Sequence, residues 1–287
     1  MARDLSTRPA PPGWYADPGG TVDQRYWDGA HWTQGAVVDG VVAERPLPLV
    51  PPPDDLRAVL PAAAAGWGLL GWVVGMVGAT VGLIGSRAVT DNLLVHLLAS
   101  QTLLWAGLMG AVLIDSRRYG SGRIRRDYQL CLRGKDVALG VSLSLVARVA
   151  AGGVAVLVLL LTNEDVDALP SQVDAYERST AALVAVVIIA VFAAPVVEEL
   201  FFRGLLMRSL EPSLKPAGAI AVQAVLFGAV HVSDVGWRQN VAIMSSLAVT
   251  GAILGVLVFA TKRLGPAIWL HATFNGIAAV VIVAQHV

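Results

Sequence analysis

The chain has 287 residues, 55% of them hydrophobic and only 15% charged, and its 21 basic and 21 acidic residues cancel to a net charge of zero. So few charges in so apolar a chain point to lipid as solvent and exclude an ordinary soluble domain, and the zero balance removes the basic excess that nucleic-acid binding calls for. One cysteine, Cys131, excludes an intramolecular disulfide and a cysteine-cluster metal site.

The polar, Pro-rich start has no basic region ahead of a short apolar core, so a cleaved signal peptide is not expected. Pro11 to Thr33 gathers five aromatic residues around the turn signals Asp17-Pro18-Gly19 and Asp28-Gly29. Such a segment predicts a two- or three-stranded minidomain of marginal stability within residues 1–34. Gly13-Trp14-Tyr15, Asp17-Pro18, Arg25-Tyr26-Trp27-Asp28-Gly29 and Trp32-Thr33 resemble the short Trp-rich domain of unknown function found before membrane segments in many actinobacterial proteins. That resemblance implies no activity. A structural hairpin and a surface for a cytoplasmic partner are both open readings. Residues 35–58, with PLPLVPPP at Pro46 to Pro53, read as a semi-rigid linker, and a PxxP docking site is the rarer alternative.

A helix crosses about 30 Å of hydrocarbon with about 20 apolar residues. Candidate spans run from Leu60 to Ile84, Leu93 to Ile114, Val137 to Leu161, Ala181 to Leu200, Ala217 to Val232, Val241 to Ala260 and Pro266 to Ala284. The expected fold is therefore an all-α, polytopic membrane bundle of about seven spans behind a small aromatic β minidomain. Residues 59–180 form its N-terminal helices and 181–287 the functional bundle. Arg117, Arg118, Arg123, Arg125, Arg126, Arg133 and Lys135 lie between the second and third spans, whereas Thr162 to Ser179 is mainly acidic. The bias of Lys and Arg toward the cytoplasmic side puts the N-terminus inside a bacterial plasma membrane and the C-terminus outside.

The last four spans carry Glu198, Glu199, Arg203, His231, His271 and Asn275. Ionisable groups in lipid cost several kcal/mol unless paired or hydrated, yet each of these could singly mark an interface or a helix end. Their spacing argues for more. Residues four apart share a helix face, so Glu199 stacks over Arg203 in the favourable order for an ion pair, while Glu198 stacks over Phe202 and keeps its carboxylate free. A desolvated, unpaired glutamate suits a general base. His271 and Asn275 share one face, as do Phe227 and His231.

EELFFRG at Glu198 to Gly204, FGAVH at Phe227 to His231 and HATFN at His271 to Asn275 resemble the three motifs of the CAAX protease and bacteriocin-processing family, in the same order. The resemblance covers roughly Ala181 to Val283 and implies peptide-bond hydrolysis within the bilayer. It casts Glu198 as the residue that activates water and His231 as a holder of that water or of a metal. His271 and Asn275 stabilise the oxyanion, and Glu199 with Arg203 completes the motif. The family is described both as metal-dependent and as metal-free. Glu198, His231 and His271 are a sufficient zinc set, although no compact HExxH run is present. A non-catalytic scaffold or bacteriocin-immunity protein of the same fold is the rival reading. A proton-relay transporter is weaker, because buried charges do not recur in both halves.

His231 falls roughly 22 Å along its helix from Pro216, but His271 only about 9 Å from Gly265. The motifs meet only if the fourth helix runs past Leu210 or the chain before Pro266 dips inward. Arg148, mid-span, is read as structural or snorkelling, and His96 and Gln101 as interhelical hydrogen-bonding groups.

Overall fold

A computed structural model describes residues 11–17, 22–29, 31–45, 60–165 and 179–285. The chain divides into two compact units, Met1–Leu56 and Arg57–Val287. The Asp17-Pro18-Gly19 turn after Asp17, the PLPLVPPP stretch, most of the acidic loop and the end of the chain lie outside the described residues.

The first unit holds one antiparallel sheet in the order β1 (Gly13–Ala16), β2 (Gln24–Trp27), β3 (Trp32–Val38) and β4 (Val41–Glu44). Two or three strands were expected, with a linker from residue 35. Instead, residues 35–44 complete β3 and form β4. The signal for this hairpin is Asp39-Gly40 between two valine-rich runs. Both residues have positive φ (50° and 77°), which suits a two-residue turn whose twist matches the strands. The sheet is stapled by Arg25, which is fully buried. Its Nε donates to Asp17 Oδ1 at 2.8 Å and its Nη1 to the carbonyls of Thr33 and Arg45. Trp27 and Trp32 pack edge to face across the same pair of strands.

The second unit is helical. α1 (Ala62–Arg87), α2 (Leu93–Tyr119), the short α3 (Ile124–Asp127) and α4 (Gly134–Leu161) precede a long rod. Within that rod α5 (Thr180–Ile188), a π-helical segment (Ile189–Ala193), α6 (Ala194–Glu198), a second π-helical segment (Glu199–Met207) and α7 (Arg208–Ala229) follow without a loop. α8 (Trp237–Thr261) and α9 (Gly265–Gln285) complete the chain. Among the described residues, five helical stretches are long and apolar enough to cross a membrane, one of them the 50-residue Thr180–Ala229, and Gly265–Val281 is a shorter apolar helix. Thr180–Ala229 is itself broken at Lys215, whose φ of 60° and ψ of 167° are not helical, between Pro212 and Pro216. Divided there, the described residues of the unit form seven long helical rods.

Glycines set a close contact between α1 and α2. Gly71 and Gly75 on α1 meet Gly107 on α2 so tightly that a Cβ on any of them would strike backbone. Small residues let backbones approach in this way where lipid provides no hydrophobic drive for association. The core lies deeper in the bundle and centres on the second π-helical segment, all nine of whose residues are buried. Here the depth problem is resolved on both sides. The fourth rod is helical as far as Leu214, past Leu210, and residues 264–268 are buried inside the protein. Leu264 donates its N–H to the Gln129 carbonyl and Arg263 pairs with Asp136, which ties the start of α9 to the 128–136 connection.

Candidate active site

Each of the three motifs is placed by a different rod. Glu198 ends α6 and Glu199 opens the second π-helical segment, so the two adjacent carboxylates sit at a change of helical pitch. Such π-type interruptions recur at functional sites because one extra residue per turn re-aims the side chains around it. The expected Glu199–Arg203 pair is present, fully buried, with Arg203 Nη1 donating to Glu199 Oε1 at 2.8 Å. Arg203 Nη2 donates to the Gly251 carbonyl at 3.2 Å, and the guanidinium lies 4.4 Å from the centroid of the Phe227 ring. Three rods are thereby pinned through one cation.

Sequence spacing did not disclose the second partner of Glu199. His271 Nδ1 lies 2.9 Å from the same Oε1, with the imidazole almost wholly buried. With its proton on Nδ1, His271 donates to Glu199 and presents Nε2 to the site. That Nε2 is 3.8 Å from Glu198 Oε2, too far for a direct hydrogen bond. Glu198 Oε2 is buried and has no hydrogen-bond partner, while the side chain as a whole retains 18% exposure.

His231 lies one residue past the C-cap of α7, and its Nδ1 is 2.7 Å from the Phe227 carbonyl. Donation through Nδ1 leaves its Nε2 free. Phe227 is the common neighbour of both histidines, its ring centroid 4.9 Å from His231 and 5.7 Å from His271. Asn275, one turn beyond His271, donates from Nδ2 to the Ala190 carbonyl at 2.8 Å. That carbonyl belongs to the first π-helical segment. One N–H of the amide is thus anchored and the other remains for a ligand.

Glu198, Glu199, Arg203 and His271 are in direct contact or nearly so, His231 joins them through Phe227, and Asn275 through the turn of α9. As for the zinc set, no three His, Cys, Asp or Glu side chains are gathered closely enough to hold a metal among the described residues. Glu198, His231 and His271 as placed do not form a ligand shell.

Arg148 is the residue whose surroundings the sequence concealed. Its guanidinium lies over the Phe274 ring at 4.2 Å from the centroid, and Nη2 donates to the Phe274 carbonyl. It therefore holds α9 at the residue between His271 and Asn275. A lone mid-span arginine was the only signal, and it identifies no partner.

The bundle and this constellation define a multi-pass membrane protein with a glutamate–histidine site inside its apolar core. Residues 180–277 match the family described as Type II CAAX prenyl endopeptidase Rce1-like, which implies an intramembrane protease. Residues 12–46 match a second family, a protein of unknown function (DUF2510), over the four-stranded sheet. No curated protein and no solved structure gave a match.

Proposed function

We propose that the protein is an intramembrane endopeptidase in which Glu198 activates the attacking water. The observation that carries this reading is Glu198 Oε2, buried, unpartnered and 3.8 Å from His271 Nε2. A carboxylate kept free of ion pairs in an apolar setting is a suitable general base, whereas Glu199, committed to Arg203 and His271, is not.

In the proposed reaction a water held by Glu198 and by the free Nε2 of His231 attacks the carbonyl carbon, and its proton passes to Glu198. The carbonyl π electrons move to oxygen. The oxyanion accepts the second N–H of Asn275, and Glu199 holds the His271 ring in place. Collapse breaks the C–N bond, and Glu198 returns the proton to the departing amine. Donors fixed before the reaction act most strongly in a water-poor site, and this cluster is fixed by Arg203, Phe227 and the Ala190 carbonyl.

The test is quantitative proteomics of a deletion strain complemented with wild type or with Glu198→Gln. A peptide fragment produced only by the wild type is the expected result and names the substrate. Identical fragments from both complemented strains would sink the reading and favour a scaffold of the same fold.

A further inference from the structure

The connection between α2 and α4 carries the densest run of basic residues in the chain, and the tertiary structure sorts its charges by sign. Arg117, Arg123, Arg125, Arg126 and Lys135 are exposed, and among the described residues none has an acidic side chain within ion-pair distance. The three acids of the same stretch are turned inward, with Asp115 and Asp136 at 0% and Asp127 at 2% exposure. Asp136 pairs with Arg263. Asp127 accepts from the Ser116 and Ser121 hydroxyls and from the N–H groups of Ser121 and Arg123. What would be a mixed-charge loop by composition presents only cations outward.

This face is also tied to the bundle by contacts from other helices. Arg208 Nη1 donates to the Asp127 carbonyl, and the Tyr128 ring packs against Gly204 with its hydroxyl donating to Val112. The connection joins two apolar helices end to end, so it lies where hydrocarbon gives way to headgroups. Beside it Arg118 rests between the rings of Trp67 and Tyr119, at 5.8 and 5.7 Å from their centroids, an aromatic and cationic pairing suited to the membrane interface. Leu132, 58% exposed, adds an apolar side chain at the same level.

We propose that this face is a docking surface for anionic phospholipid headgroups, held by Arg123 at the N-cap of α3 and Arg125 and Arg126 on it, with Arg117 and Lys135 beside them. The ligand chemistry is a phosphodiester with net negative charge. Guanidinium groups match such oxygens bidentately, and a preorganised fork loses little freedom on binding. The surface stands independently of the proteolytic reading, since it uses none of its residues.

The experiment uses the purified full chain in phosphatidylcholine nanodiscs doped with phosphatidylglycerol, reading the preference for phosphatidylglycerol among lipids retained on extraction. The combined Arg123→Gln, Arg125→Gln and Arg126→Gln variant should lose that preference by on the order of a hundredfold, roughly fivefold per charge near the surface. Replacing the same three by Lys should preserve most of it, and added salt should weaken it. Arg87→Gln with Arg238→Gln, removing exposed cations elsewhere, should leave it unchanged. An unchanged preference in the glutamine variant, or an equal loss in the Arg87 and Arg238 control, would overturn the proposal. A wild-type protein without preference would also overturn it and leave the face to an acidic protein partner.

Discussion

His271 and Glu199 meet through a single oxygen: Glu199 Oε1 takes the Nδ1 of His271 at 2.9 Å and the Nη1 of Arg203 at 2.8 Å. The second glutamate of the motif therefore has two tasks, compensating a buried cation and setting the orientation of an imidazole. The neighbouring Glu198 has neither contact, in keeping with the role on water proposed for it.

From this division, Glu198→Gln should abolish cleavage while leaving thermal stability nearly intact, because the direct ion pair to the buried Arg203 is made by Glu199. Glu199→Gln and Arg203→Ala should each destabilise the bundle by about 3–5 kcal/mol, the usual penalty for stranding one member of a buried pair. Thermal unfolding in a fixed detergent measures this. Equal stability of all three variants would remove the separation of roles.

Asn275→Ala should lower kcat by about a hundredfold with little change in KM, as removal of an oxyanion donor does. The loss of the Ala190 contact adds a second signature, greater protease sensitivity near Ile189–Ala193. A variant with normal kcat would place the amide outside the reaction.

No ligand shell is gathered from Glu198, His231 and His271, so activity should survive chelation, with metal far below one atom per chain by elemental analysis. If zinc is instead the cofactor, chelation abolishes activity, and His231→Ala and His271→Ala both lower bound metal. Asn275→Ala should leave metal content unchanged in either case.

Asp127 gives a pH dependence. Burial pushes its carboxyl upward, but hydrogen bonds from Ser116, Ser121 and Arg123 outweigh this and hold it below the usual carboxylate range. A folded-state value below the unfolded one contributes stability that is present at neutral pH and is lost as pH falls through the depressed value, below about pH 4. Asp127→Asn should reduce the acid sensitivity of unfolding. The same acid slope in both proteins would contradict it.

Orientation follows from the basic loops alone and is open to direct test. A reporter fused after Val287 should be active only outside the membrane, and one fused before Trp14 only in the cytoplasm. Cytoplasmic exposure of both ends would require an even number of crossings.

Much of this protein is legible in one dimension. Runs of about 20 apolar residues announce membrane helices because the bilayer offers backbone groups no other partners, and i, i+4 spacing places Glu199 over Arg203 whatever surrounds them. The turn at Asp39-Gly40 was equally available, and the Pro-rich run after it drew the linker boundary too early. Other features depend on contacts between residues far apart in the chain. The bond from Glu199 to His271 spans 72 positions, Arg148 to Phe274 spans 126, and Asn275 finds a carbonyl 85 residues away. No local periodicity encodes such pairs, because they arise only when separate rods pack at a particular rotation and depth. The inward turn of Asp115, Asp127 and Asp136 is of the same kind. Composition records their charges, but only the tertiary packing decides which sign faces the membrane surface.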